Sequence, residues 1–150
     1  MSPLARLSLW AMGAFYLLAG LNHFRDPAFY LPMMPTYLPA HRELVELSGV
    51  AEFALGLALL VVGAAAPRLR RAAAWGVIAL LLAIFPANLH VALHDVPIGG
   101  RSEGLGVWNW VRLPFQAVLI AWAWLYTRRP PAQGPSPRAL RGAPAEPAAE

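Results

Sequence analysis

Five polar side chains interrupt the apolar stretches of this 150-residue chain and define the chemistry open to it: His23, Glu52, Asn88, Arg112 and Gln116. Glu52 lies inside the run Glu43–Val62, ELVELSGVAEFALGLALLVV. An ionisable group at bilayer depth costs about 2.5–3.5 kcal/mol to insert, so it faces protein and has a partner. Arg112 keeps its charge in any environment, and a carboxylate is the natural bidentate acceptor for its guanidinium. The expectation is therefore an ionised Glu52 paired with Arg112, with Gln116 and Asn88 supplying the remaining hydrogen bonds. Such a network has two readings. It fixes helix register at little net stability, because desolvation offsets attraction, or it lines a small outward-opening pocket that binds a ligand or relays protons.

Other chemistry is poorly provided for. His90 and His94 stand four residues apart, a spacing able to bind one metal. Only His23 and Glu52 could add ligands, so no metal site is expected, and a haem held by two histidines has no further support. His41 reads as an exposed loop residue. The chain has no cysteine, which excludes disulfides, thiolate metal sites and cysteine redox chemistry of its own. No recognisable nucleophile or cofactor motif is present, and catalytic residues stay unassigned.

The elements that must position these residues are membrane spans. Hydrophobic residues make up 58% of the chain and charged ones 13%, against about 25% charged in soluble domains. Four apolar runs, residues 4–24, 43–62, 72–93 and 107–126, are each near the length a helix needs to cross a bilayer. The first follows Arg6 as a signal peptide would, but it is long for that role and ends in Asn22-His23-Phe24-Arg25, a poor cleavage site. Gly49, Gly56 and Gly63 recur every seven residues, close to two helical turns, and make one thin packing stripe. Glu52 shares that stripe and so points into the bundle. Gly13 and Gly20 offer a similar face on the first span.

Depth can be compared at 1.5 Å per residue. Glu52 and Gln116 lie roughly 13 Å inside the outer ends of their spans, and Arg112 and Asn88 roughly 7 Å. His23 sits near an outer exit. The opposite half of the spans is Leu, Ala, Val, Ile and Trp. Prolines 27, 32, 35 and 39 make residues 25–41 a loop with short turns; its Phe29, Tyr30, Met33 and Met34 either pack on the bundle or form a lid. Residues 95–106, glycine-rich and polar, read as a mobile loop. Pro86 falls inside the third span, where it frees a carbonyl and can kink the helix.

Arginine counting orients the chain. Arg6, Arg68, Arg70, Arg71, Arg128, Arg129, Arg138 and Arg141 fall on one side; Arg25, Arg42 and Arg101 fall on the other, with Arg112 just inside the membrane. This predicts both termini in the cytoplasm. The basic balance therefore sets topology and does not point to nucleic acid. The fold class expected is all-α: an integral membrane antiparallel four-helix bundle over residues 1–127, with residues 128–150, rich in Pro, Ala, Gly and Arg, a disordered cytoplasmic tail. The bilayer is the expected partner. Oligomeric state stays open, because glycine stripes serve internal or intersubunit contacts alike.

Several motifs occur together: Ala19-Gly20-Leu21-Asn22-His23-Phe24 with Pro27, Tyr30, Met34-Pro35 and Leu38-Pro39; Ser48-Gly49-Val50-Ala51-Glu52 with Gly56; Phe85-Pro86-Ala87-Asn88; and Arg112-Leu113-Pro114-Phe115-Gln116. In this order and spacing, over residues 4–127, the chain resembles the DoxX-like family of small four-helix bacterial membrane proteins. The resemblance implies residence in the bacterial inner membrane and a quinone-linked role beside a redox partner protein, with a quinone head group in the polar pocket. Lacking cysteine, this chain could not itself cycle a disulfide. Three function classes follow: a non-catalytic or quinone-linked subunit of a membrane oxidoreductase system, a lipid- or small-molecule-binding or transport bundle, and a stand-alone quinone-dependent oxidoreductase.

Overall fold

The computed structural model describes residues 1–128. The expected disordered tail, residues 128–150, lies outside these apart from Arg128. The described residues form helices and connecting turns, with no strand among them.

Helix α1 (Pro3–Arg25) starts where Ser2 caps it, the hydroxyl accepting from the Ala5 amide at 3.2 Å, with Pro3 in the first turn. It stops before Pro27, whose ring disfavours helical geometry at Asp26. Asp26 then caps the single turn α2 (Pro27–Tyr30), accepting from the Phe29 amide at 3.2 Å, and a 3-10 turn (Leu31–Met33) follows. The proline-spaced segment is thus a chain of short turns, as its spacing predicts.

Helix α3 (His41–Val61) begins two residues before the expected span. His41 is its first residue rather than an exposed loop residue: its Nε2 lies 3.0 Å from the carbonyl of buried Pro35 and ties the segment to the helix. Helix α4 (Pro67–His94) begins five residues earlier than expected, because Pro67 suits the first helical position and the basic turn Arg68–Arg71 is already helical. It continues through Pro86. Helix α5 (Val107–Trp124) continues through Pro114. The loop between α4 and α5 is anchored where it was expected to be free. The Asp95 carboxylate accepts from the Gly106 amide and from Asn109 Nδ2, each at 2.8 Å, and Ile98 is buried.

Helices α1, α3 and α4 are long and apolar enough to cross a membrane. Helix α5 falls outside that group; its 18 residues include Asn109, Arg112, Gln116 and four tryptophans, which lower its hydropathy. Large apolar side chains such as Leu18, Leu57, Leu82 and Val118 face outward, as lipid-facing residues do.

Helix α1 lies along α3, α3 against α4, and α4 against α5. The α1–α3 seam is set by glycine. A Cβ on Gly20 would stand 2.5 Å from the Phe53 amide nitrogen and 2.7 Å from the Gly49 carbonyl, and one on Gly56 would strike the Leu17 amide nitrogen. The glycine stripe therefore serves an intramolecular seam. The core below it contains Leu9, Met12, Tyr16, Leu59, Val77 and Ala123.

At one end, Arg70 donates to the Gly63 carbonyl and Arg71 to the Thr127 carbonyl, while Tyr126 Oη donates to the Ala5 carbonyl and Trp122 to Ser8 Oγ. These bonds gather the start of α1, the α3–α4 turn and the end of α5 at a basic end. Insertion of bulk into the seam is the direct check. Gly20→Val meets backbone that cannot yield, and we expect it to cost about 2 kcal/mol or more in thermal or chemical unfolding. Gly76→Ala meets only the flexible end of Leu55, with Cδ2 at 2.6 Å, and should cost clearly less.

Candidate functional site

The seam determines which groups meet at the opposite end. A Cβ on Gly49 would overlap the His23 Cβ, at 2.5 Å, so the bare Gly49 backbone is the surface on which His23 rests. One turn further along α3, Glu52 faces the same ring: His23 Nε2 and Glu52 Oε2 are 3.5 Å apart, with His23 6% and Glu52 7% exposed. His23, not Arg112, is the nearest charge partner of Glu52. The expected Glu52–Arg112 ion pair is absent among the described residues, where the pairs within reach are His23–Glu52 and Arg42–Glu46. Glycine contact brings α1 closer to Glu52 than α5 comes.

The protons of this pair follow from its neighbours. His23 Nδ1 lies 2.8 Å from the Val45 carbonyl, which can only accept, so Nδ1 carries hydrogen. Ser48 Oγ donates to the same carbonyl at 2.9 Å, leaving its lone pairs toward Nδ1 at 3.3 Å. In neutral His23 the Nε2 atom is then a lone pair turned toward a carboxylate oxygen. Two acceptors face each other in a buried place, and a bare carboxylate there is costly. A second proton resolves the conflict, on Glu52 or on Nε2. The 3.5 Å separation is too long for a formed hydrogen bond, and Glu52 Oε2 has no hydrogen-bond partner among the described residues.

Tyr30 covers the ring. Its phenol stacks on His23 with centroids 3.6 Å apart and planes 22° from parallel, and its hydroxyl accepts from Asn22 Nδ2 at 3.1 Å. Burial pushes the Tyr30 phenol above its ordinary value, so the hydroxyl stays protonated. The turn segment thus serves as a cap over the site.

Asn88 and Gln116 do not complete a Glu52–Arg112 network; they bond to each other. Asn88 Nδ2 donates to Gln116 Oε1 at 2.9 Å, and Gln116 Nε2 donates to the Leu81 carbonyl. This amide bridge joins α4 to α5 and satisfies buried Gln116 on both of its ends.

Two adjoining spaces, each of about 180 Å³, share His23, Tyr30, Glu52, Ile84, Asn88 and Arg112 in their walls. One runs under the turn segment past Phe29, Met33 and Met34. The other reaches Phe15 and Tyr16 of α1 and Phe115 and Gln116 of α5. All five residues singled out in the sequence therefore come together around one cavity region, although their pairing differs. Tyr16, missed in the sequence because it sits among apolar neighbours, is 2% exposed; it lines the cavity with Glu52, and its buried hydroxyl has no partner among the described residues. Asn109, fully buried beside Asp95, was also missed; a lone amide between two tryptophans at a helix start was its signal.

His90 and His94 lie with ring centroids 4.3 Å apart and planes tilted by 37°, and His94 Nδ1 is engaged with the His90 carbonyl at 3.0 Å. Among the described residues no three His, Cys, Asp or Glu are placed to hold a metal.

With this geometry established, the chain can be placed by family. A family described as a domain of unknown function, DUF8561, matches residues 12–127, and the chain belongs to it. The match takes in His23, Glu52, Asn88, Arg112 and Gln116. No curated protein and no solved structure matches the chain.

The amide bridge gives a stability test. Gln116→Leu removes both the bond from Asn88 and the bond to the Leu81 carbonyl and should cost about 2 kcal/mol, whereas Asn88→Leu removes one and should cost about 1 kcal/mol. In a double-mutant cycle the pair should be non-additive by roughly 0.5–1.5 kcal/mol. Additive losses would show that the bond contributes nothing.

Proposed function

We propose that this protein is a quinone-linked subunit of a membrane oxidoreductase system, holding a quinone head group in the cavity bounded by Glu52, His23, Tyr16, Asn88 and Arg112. The observation that carries the reading is that Tyr16 and Glu52, each with a buried side-chain oxygen lacking a partner among the described residues, both belong to the wall of one cavity. A quinone carbonyl accepts hydrogen bonds, which the Tyr16 hydroxyl and the Arg112 guanidinium can donate. A hydroquinone hydroxyl also donates, and Glu52 Oε2 is the acceptor available for it. The His23–Glu52 pair, which needs a second proton on Glu52 or on Nε2, can exchange that proton with such a hydroxyl, as intramembrane ionisable clusters do.

The DoxX-like motifs support the same reading: Asn22-His23, Glu52, Asn88, Arg112 and Gln116 fall where those motifs have their polar positions. In this proposal α5 is the fourth span of an antiparallel bundle. The protein sits in the bacterial cytoplasmic membrane with both termini cytoplasmic, the side of Arg6, Arg68, Arg70, Arg71 and Arg128. The cavity then opens toward the outer leaflet. With no cysteine in the chain, any thiol or disulfide step belongs to a redox partner subunit. Electrons likewise pass to or from that partner, and this chain supplies the binding site and the proton.

The test is binding of decylubiquinone to purified protein in mild detergent. The wild type should gain thermal stability with added quinone. Glu52→Ala and Arg112→Gln should each weaken the effect about tenfold, the loss of roughly 1.4 kcal/mol expected for one charge-assisted bond. A protein that carries no quinone on purification and shows no shift with saturating quinone contradicts the proposal.

A further inference from the structure

Beside the polar cavity lies a larger space of different character. A groove of about 450 Å³ runs between α3 and α4, with Leu44, Leu47 and Leu80 among its walls and Ala51, Ala83 and Ala87 as small residues along it. Ala83 and Ala87 are four apart on α4 and stand one above the other, and Pro86 lies between them. Small side chains on both helices leave a trough where leucines would have closed the seam. Ser48 is the one polar residue of the lining.

The groove is not isolated. Met34, Ser48, Ile84 and Ala87 line both it and the polar cavity. Ser48 and Ala87 are small, so Met34 and Ile84 supply the bulk that parts the two spaces, and an unbranched Met side chain re-packs readily. At about 450 Å³ the groove has room for a hydrocarbon chain.

We infer that the α3–α4 groove seats the hydrocarbon tail of a molecule whose polar head occupies the adjoining Glu52–His23–Arg112 cavity. The ligand class is then an amphiphile with a hydrogen-bonding head, taken from the bilayer. The inference rests on reading the cavity as a head-group site, but the groove can be tested apart from the identity of the head.

The experiment uses the full chain in phosphatidylcholine vesicles with a palmitic acid carrying a mid-chain diazirine. After photolysis, adducts are mapped by mass spectrometry. Labelling at Ala51, Ala83 and Ala87 should exceed, several-fold, that at the outward-facing Leu18 and Val118. Ala83→Phe should remove the excess; Ala83 is exposed, so a larger side chain fills the groove without disturbing the core. Decylubiquinone should suppress the groove adducts, and its tail-less parent benzoquinone should do so far less.

Labelling spread evenly over the outward faces, or groove labelling that Ala83→Phe leaves intact, overturns the inference. Groove labelling that Ala83→Phe removes but decylubiquinone does not suppress upholds the tail site and counts against quinone as the head. Quinone binding with even labelling does the reverse.

Discussion

The close approach of α1 and α3 through Gly13, Gly20, Gly49 and Gly56 is the constraint on which the rest of this structure depends. Where two backbones meet with no Cβ between them, helix rotation and register are set by hard contact: an added Cβ strikes main chain at Gly20 and Gly56 and the His23 side chain at Gly49. His23 is a direct product of that register. It rests on Gly49, and its ring is thereby carried to Glu52, while the Val45 carbonyl fixes its tautomer. The glycines thus do more than stabilise the seam: they decide which side chain the buried carboxylate sees.

The bundle is closed at one end and hollow at the other for reasons traceable to side chains. At the basic end, Trp122 and Tyr126 reach across to Ser8 and Ala5, and the core beneath them is filled by Leu9, Met12 and Leu59. At the other end, the facing positions are Glu52, Asn88 and Arg112, whose polar heads cannot interdigitate as Leu does, and the cavity forms among them. The turn segment from Pro27 to Met34 is the roof, held by the Tyr30–His23 stack and the Asn22 hydrogen bond.

The sequence made depth legible and left rotation dark. The hydrophobic runs, the seven-residue glycine period and the depth of Glu52, Asn88, Arg112 and Gln116 could all be counted, and these residues do gather around one cavity region. Pairing could not be counted. Arg112 and Glu52 match in charge and nearly in depth, but α5 packs against α4, not α3, and the histidine on α1 is carried closer by the glycine seam. Asn88 and Gln116 could equally have served Glu52; only the facing of α4 and α5 shows that they satisfy each other. The anchored 95–106 loop was hidden for a similar reason, because its restraint is a contact from Asp95 to Asn109 across the loop and not a local turn signal.

The central claim is that the buried His23–Glu52 pair holds a second proton, on Glu52 or on Nε2, beside the polar cavity. Nitrogen-15 NMR of selectively histidine-labelled protein tests it most directly. The account predicts that His23 carries hydrogen on Nδ1, and that the Nε2 resonance is that of a hydrogen-bonded or protonated nitrogen and shifts when Glu52 is replaced by alanine. A His23 protonated on Nε2 alone, with a signal indifferent to Glu52, would contradict it.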